Sequence, residues 1–183
     1  MRLSTRLSGR KIILRRLALN DAAGITAHIK DKDIIKWLGE VPYPYIKRYA
    51  VQFIHSRENE RRTGKSFTFG ISSKEKDEII GVIDLSDLDW DDKKAEIGYW
   101  IGKRFWGKGY MTEAIDLLTR FGFQELNLHK IYARVFEGNL ASMKALEKNN
   151  FKREGILRDE AYKNRKWLDE YYYGILESEY KEP

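Results

Sequence analysis

The apolar pattern of the chain changes its period at Gly102, and this change limits the folds open to it. Before Gly102, the segments 67–72, 79–88 and 94–101 are short, rich in branched and aromatic residues and separated by polar turns, which predicts an antiparallel meander. After it, apolar residues recur at helical spacing from Tyr110 to Phe123. The chain therefore predicts a strand, a glycine-containing loop and a helix in direct succession.

The remaining patterns predict further strands and helices on both sides of this unit. A strand is expected at 11–16, then a helix capped by Asn20 or Asp21 that ends near residue 30, and a second helix that ends near Gly64. Further along, strands are expected at 130–136, 151–161 and 167–176, with a helix at 140–148. The order is mixed α and β (α+β), and with no repeat or flexible linker we expect a single domain spanning 1–183.

Composition excludes several classes of protein. The 183 residues include no cysteine, which excludes a disulfide framework, a zinc site with thiolate ligands and a thiol nucleophile. The three histidines lie in separate segments without ligand spacing, so no metal site is predicted. No apolar run is long enough for a signal peptide or a membrane span, so we expect a cytoplasmic protein.

The net charge of +6 comes from the first 16 residues, which hold six basic side chains and no acid. This arm can contact RNA or an acidic partner. The alternative, which we favour, is an edge strand whose charges discourage aggregation.

The loop after Gly102 has the features of an anion-binding cradle. Gly107 and Gly109 allow the backbone to approach a ligand, Arg104 and Lys108 add positive charge, and a helix begins directly afterwards. Residues 102–108 also spell Gly-x-x-x-x-Gly-Lys, most of a nucleotide-binding P-loop. Residue 109 is glycine, however, where a P-loop needs Ser or Thr to hold magnesium, and this argues against a nucleotide triphosphatase.

The pattern Arg104-x-x-Gly107-x-Gly109 resembles the signature of the GNAT acetyltransferases. Segments 95–101 and 107–114, the Asn-Leu-Ala-Ser turn at 139–142 and the Asn-Asn-Phe at 149–151 resemble the branch that acetylates ribosomal-protein N-termini, with Asn150 in place of the usual glycine. The resemblance covers nearly the whole chain.

This resemblance implies a mixed, mostly antiparallel sheet of seven strands with about four helices, in which two strands splay apart to admit the pantetheine arm of acetyl-CoA. It also implies the residues that bind this co-substrate: Tyr99, Trp100, Ile101, Arg104, Trp106, Gly107, Lys108, Gly109, Tyr110, Met111, Thr112, Asn139 and Ser142.

Acetyl transfer to an amine needs a proton for the departing thiolate. Many relatives supply it from a tyrosine seven residues after the asparagine, but Leu146 stands there in this chain. Ser142 matches a serine of the ribosomal-protein branch and can donate the proton, or it can simply cap the following helix. The backbone N–H near Ile101 is the candidate for polarising the carbonyl.

Three carboxylates are candidates for the base. Glu96 is ranked first, on the same face of its strand as Gly98 and Trp100. Glu160 is second, one residue before the position that matches the glutamate of the branch, and Asp84 is third. Bound water is the alternative to all of them.

The acceptor implied by the resemblance is a primary amine, in first place the N-terminal α-amine of a protein such as a ribosomal protein. The alternatives are a small amine (a polyamine or an aminoglycoside) and a non-catalytic acyl-CoA-binding sensor. The near-complete co-substrate motif argues against an RNA-binding module, and monomers and homodimers are both usual in the family.

Aromatic residues between 31 and 64 can line a peptide groove or pack the helices together, and a run of acids can bind a polyamine or form a solvated turn. These two sets are Trp37, Tyr43, Tyr45 and Phe53, and Asp84, Asp87, Asp89, Asp91 and Asp92.

Overall fold

The computed structural model describes residues 3–39, 41–163 and 165–181. Its centre is one sheet of eight strands in the order β1-β2-β3-β4-β5-β6-β8-β7. All neighbouring strands are antiparallel except β5 and β6, which are parallel. The strands are β1 (Arg6–Ser8), β2 (Ile12–Arg15), β3 (Phe67–Ser73), β4 (Ile79–Asp89), β5 (Lys94–Ile101), β6 (Lys130–Phe136), β7 (Lys152–Lys163) and β8 (Lys166–Leu176).

Five helices cover the two faces of the sheet: α1 (Ala22–Ile29), α2 (Lys32–Ile35), α3 (Lys47–Arg62), α4 (Tyr110–Gln124) and α5 (Leu140–Glu147). Val82 of β4 packs in a cluster with α1 and α3, whereas its neighbour Ile83 packs in a second cluster with α4. Because successive side chains of a strand point to opposite faces, α1 and α3 lie on one side of the sheet and α4 lies on the other.

The predicted α/β fold is confirmed, with one strand and one helix more than the sequence indicated. The additional strand, β1, has only three residues, and the additional helix, α2, has only four. Segments this short carry no measurable hydrophobic period. β1 lies at the edge of the sheet, as the edge-strand interpretation of the basic arm expects.

The expected cap of α1 is not formed. The Asp21 carboxylate accepts the backbone N–H of Ala18 at 2.7 Å and both terminal nitrogens of Arg15 at 2.9 Å. A short 3-10 turn at Leu19–Asp21 precedes α1 and places the side chain towards β2 instead of towards the helix. The carboxylate therefore anchors the start of α1 to the sheet.

The predicted splay between two strands lies between β5 and β6. In the described part of the chain the two strands pair only at Lys94 with Lys130, Ala95 with Ile131 and Glu96 with Tyr132. β5 continues along β4 to Ile101, and β6 continues along β8 to Phe136. The carboxyl-terminal half of β5 thus has an open flank.

Candidate active site

The loop between β5 and α4 has the backbone of an anion-binding cradle. Gly107 and Gly109 have φ angles of +72° and +80°, in the left-handed region that strains a residue with a side chain. Gly109 is the N-cap of α4, a helix of 15 residues. An added Cβ at Gly107 would meet no atom within 4 Å, so the space in front of the loop is open. The unpaired N–H groups at the start of α4 and this open space fit the pyrophosphate of acetyl-CoA.

Lys11 brings positive charge to this loop from the beginning of β2. Its ammonium donates to the carbonyl of Lys108 at 3.0 Å and lies 3.8 Å from the position that a Cβ on Gly109 would take. Its backbone N–H donates to Glu113 in the first turn of α4 at 3.0 Å. Lys11 could not be predicted as part of this loop from the sequence, since it lies 97 residues from Lys108 and no local pattern marks it.

Arg104, predicted to bind acetyl-CoA, has its side chain in contact with other residues of the protein. Its guanidinium pairs with Glu78 at 3.1 Å and stacks over the ring of Phe105 at 4.7 Å. The side chain is largely exposed, so binding phosphate would require it to exchange Glu78 for the ligand.

The open flank of β5 presents backbone groups to a ligand. The N–H of Gly102 bonds to the carbonyl of Ile80 at 2.8 Å, and in an antiparallel ladder alternate residues bond to the same neighbour. Gly98 and Trp100 therefore direct their backbone groups to β4, while Tyr99 and Ile101 direct theirs into the gap. Trp106 occupies the Ile101 carbonyl by donating its indole N–H at 2.9 Å. The N–H of Ile101 and both groups of Tyr99 face the gap where the pantetheine arm was predicted.

A hydrogen bond between two side chains crosses this gap. The phenolic oxygen of Tyr99 lies 2.8 Å from the hydroxyl oxygen of Ser142 at the start of α5. Burial raises the pKa of the Tyr99 phenol, so the proton remains on it at neutral pH. Asn139 is the N-cap of α5, and its side-chain oxygen accepts the backbone N–H of Ser142 at 3.3 Å. Asn139 therefore provides the cap, and the hydroxyl of Ser142 is directed to Tyr99.

On the opposite face, β4, β5, α1 and α3 line a half-open cavity of about 400 Å³. The described lining residues are mostly apolar and aromatic, with one carboxylate and one amide among their side chains; the residues that matter here are Tyr45, Tyr49, Gln52, Phe53, Asp84 and Trp100. Tyr45 and Phe53, predicted either to line a peptide groove or to pack the helices together, both line the cavity. Tyr43 is 62% exposed, and Trp37 lies against Gly138, so neither lines the cavity.

Asp84 occupies the floor of this cavity, where it is paired across strands with Gly98. A Cβ at residue 98 would come within 2.8 Å of a carboxylate oxygen of Asp84, so this position leaves space only for glycine. Burial is the main cause that raises the pKa of Asp84 to about 7; the charges of Glu96 and Glu60 add to the rise, and Arg57 and the Gly98 backbone N–H oppose it. The carboxyl group is therefore poised to exchange a proton near neutral pH.

The other two carboxylates proposed as bases lie outside the cavity lining. Glu96 forms an ion pair with Arg134 of β6, in which Nη2 donates to Oε2 at 2.7 Å and Nε is shared between Oε2 at 3.1 Å and Oε1 at 3.2 Å. Glu160 is exposed on β7. The acids expected for a polyamine site are also separated: Asp89 accepts two N–H groups of its own turn, and Asp87 approaches Arg134 at 3.7 Å.

Comparison with known proteins identifies the family. A family model described as an acetyltransferase (GNAT) domain matches residues 11–152. The chain belongs to the GNAT acetyltransferases. The glycine loop, the open flank of β5 and the cavity thus form the candidate active site of a GNAT enzyme, and the predicted enzyme class, an acetyl-CoA-dependent N-acetyltransferase, is confirmed.

Relatives within the GNAT family differ in what they acetylate. The uncharacterized N-acetyltransferase p20 of Bacillus licheniformis is 34% identical over 172 residues, covering 93% of this chain and 95% of that protein. The ribosomal protein uS5-alanine N-acetyltransferase of Escherichia coli is 31% identical over 109 residues, 59% of this chain and 56% of the relative. The spermidine N(1)-acetyltransferase of Vibrio cholerae is 27% identical over 171 residues, 93% of this chain and 95% of the relative.

Solved GNAT structures have the same fold. A crystal structure of a probable acetyltransferase superposes with a TM-score of 0.87 at 30% identity and covers 96% of this chain and 98% of its own. The microcin C7 self-immunity acetyltransferase MccE, solved in complex with acetyl-CoA and AMP, superposes with a TM-score of 0.83 at 24% identity, over 92% and 93% of the two chains. None of the helices in the described residues is long and apolar enough to cross a membrane.

Proposed function

We propose that this GNAT enzyme acetylates the N-terminal α-amine of a protein, such as a ribosomal protein. One observation carries the proposal: the half of β5 with the open flank lines the aromatic cavity with Gly98, Tyr99 and Trp100 and leads directly into the glycine cradle. The cradle suits a phosphate-bearing donor, and the cavity suits one amine with an apolar neighbour. The resemblance to the enzyme that acetylates the alanine of ribosomal protein uS5 supports this choice of acceptor.

Each step of the transfer has a candidate group in the chain. Acetyl-CoA supplies the acetyl group as a thioester. The N–H of Ile101, directed into the gap, can polarise the carbonyl oxygen, since a pre-oriented donor stabilises charge that develops in the transition state. The Ser142 hydroxyl, held by Tyr99, can give its proton to the departing sulfur. Tyr99, Trp106, Gly107, Lys108, Gly109, Tyr110, Met111, Thr112 and Asn139 remain our proposal for binding the donor.

A small monoamine is the second candidate acceptor, and the size of the cavity favours it. A volume of about 400 Å³ lies within the range of sites that enclose small molecules. Polyamines fit less well, because Asp84 is the one carboxylate among the described residues that line the cavity. The predicted cytoplasmic location, single-domain organisation and choice between monomer and homodimer stay predictions.

The test is an acetylation assay that follows free CoA and product mass. The acceptors are peptides beginning with Ala, Ser or Met, the monoamine 2-phenylethylamine, and spermidine. We expect a peptide to be acetylated at its α-amine. Turnover of 2-phenylethylamine alone would replace the protein acceptor by a small amine. No turnover, together with a higher melting temperature in acetyl-CoA, would instead make the chain an acyl-CoA-binding sensor.

A further inference from the structure

We infer that Asp84 binds the acceptor ammonium group and takes its proton, and that the site thereby selects a primary amine with one positive charge beside an apolar group. The inference deepens the proposed function and rests on it. It starts from the position of Asp84 on β4, beside the open half of β5 and at the floor of the aromatic cavity.

The surroundings of Asp84 leave its carboxylate available. Its cross-strand neighbour Gly98 has no side chain to cover it. Arg57 of α3, the cation whose charge acts on Asp84, is engaged by Glu60 at 2.7 Å, and Asp84 forms no ion pair with any of the described residues; its carboxylate has a hydrogen bond from the Gly98 backbone. The other titratable groups of the described residues around the cavity are Glu60 of α3, Glu96 of β5 and the phenols of Tyr45, Tyr49 and Tyr99. A bound ammonium group would supply the opposite charge that this carboxylate lacks.

Glu96 is less suited than Asp84 to act as the base. Glu96 lies on the same face of the sheet, but Arg134 already satisfies both of its carboxylate oxygens. Taking a proton would require Glu96 to break this pair. Asp84 needs no such rearrangement, and its pKa of about 7 matches a base that works near neutral pH.

The walls of the cavity define the rest of the acceptor. The rings of Tyr49, Phe53 and Trp100 offer apolar contact surface to the carbon chain that carries the ammonium group. A second or third ammonium group held in the cavity would find no carboxylate besides Asp84 among the described lining residues, and an unpaired charge against apolar rings is costly. The cavity therefore disfavours a polyamine.

The protons balance in this scheme. Asp84 accepts one proton from the ammonium group, which becomes a neutral amine. The amine nitrogen forms a bond to the acetyl carbon as the bond from that carbon to sulfur breaks. The nitrogen then loses its extra proton, the sulfur gains one, and Asp84 releases the first proton to solvent. The net products are an amide, free CoA and one proton.

The experiment is calorimetric titration of 2-phenylethylamine and of spermidine into the enzyme at pH 7, without acetyl-CoA, in two buffers of different ionisation enthalpy. We expect 2-phenylethylamine to bind at least tenfold more tightly than spermidine and to release about half a proton, because a carboxyl group with a pKa of about 7 is half-protonated at that pH. Tighter binding of spermidine, or binding of 2-phenylethylamine without proton release, would overturn the inference. This readout uses the unaltered chain and needs no variant to fold.

The matched variants are Asp84→Asn and Asp87→Asn, each of which removes one negative charge from β4. Asp84 lines the cavity, and Asp87 lies outside its lining. Asp84→Asn should weaken 2-phenylethylamine at least tenfold and abolish proton release, and Asp87→Asn should change the affinity less than twofold. Equal weakening by both would point to a general charge effect and overturn the inference. If Asp84→Asn abolishes binding but the unaltered enzyme acetylates no amine, the proposed function fails and the ammonium site stands. If acetylation persists in Asp84→Asn at the unaltered rate, the proposed function stands and the role of Asp84 is refuted.

Discussion

The hydroxyl oxygen of Ser142 lies 2.8 Å from the phenolic oxygen of Tyr99, and this contact joins α5 to the open flank of β5. Since Asn139 already caps α5, the helix does not need the Ser142 hydroxyl. We predict that Ser142→Ala lowers kcat about 10²-fold or more and changes the Kd of acetyl-CoA less than threefold, as expected for a proton donor. Steady-state kinetics and calorimetry check this, with exposed Ser56→Ala as the control. An unchanged kcat would leave Ser142 with a structural role only.

Gly109→Ala should weaken the binding of acetyl-CoA at least tenfold. At a φ of +80° an added Cβ strains the backbone by roughly 1–2 kcal/mol, and relief of that strain would turn the N–H groups of the cradle away from the phosphates. Gly155→Ala on β7 is the matched control, because an added Cβ there meets no atom within 4 Å and φ is not positive. Similar affinities for the two variants would mean that the loop does not hold the donor.

Lys11→Met should lower the affinity for acetyl-CoA by about three- to tenfold, and the loss should shrink as salt is raised. The Lys11 ammonium lies at the mouth of the cradle, where its attraction for phosphate is screened by ions. Fluorescence titration at two salt concentrations measures the effect. Exposed Lys76→Met, which removes the same charge elsewhere, serves as the control. A salt-independent loss would indicate that Lys11 acts by supporting the loop.

Asp84→Asn should make the protein more stable at pH 8 and leave its stability at pH 4 nearly unchanged. The pKa of Asp84 is about 7 in the folded chain against an ordinary value of 3.8, so the folded state holds more protons than the unfolded state between these values. Stability therefore falls as pH rises through this window, by roughly 1–4 kcal/mol in total, and the neutral amide avoids the loss. Urea unfolding at both pH values checks the sign. Lower stability of the variant at pH 8 would contradict it.

The sequence predicted most elements because each long segment has a clear period and ends in recognisable turn residues. Even Asn150, where the family pattern has glycine, agrees with the structure: its φ is +63°, and asparagine tolerates this region better than most residues. β1 and α2 were missed because three or four residues are too few to show a period.

The site was harder to predict because its groups come from distant segments. Nothing near Glu96 in the sequence shows that Arg134, 38 residues later, takes both of its oxygens. Asp84 ranked low as one acid in a run of five, and only the pairing register sets it opposite Gly98 and away from the other acids. The contribution of Lys11 likewise depends on β2 lying beside α4. Spacing along the chain carries no information about such contacts.

The arrangement of β5 also bears on the kinetic order of the reaction. The strand leads into the glycine loop before α4, the proposed donor site, and its residues Gly98 and Trp100 line the cavity beside α1 and α3, the proposed acceptor site. The two proposed sites are distinct, so neither ligand has to leave before the other arrives. The architecture therefore favours a ternary complex with direct transfer. Double-reciprocal plots of the initial rate should then give intersecting lines, whereas a ping-pong mechanism would give parallel lines.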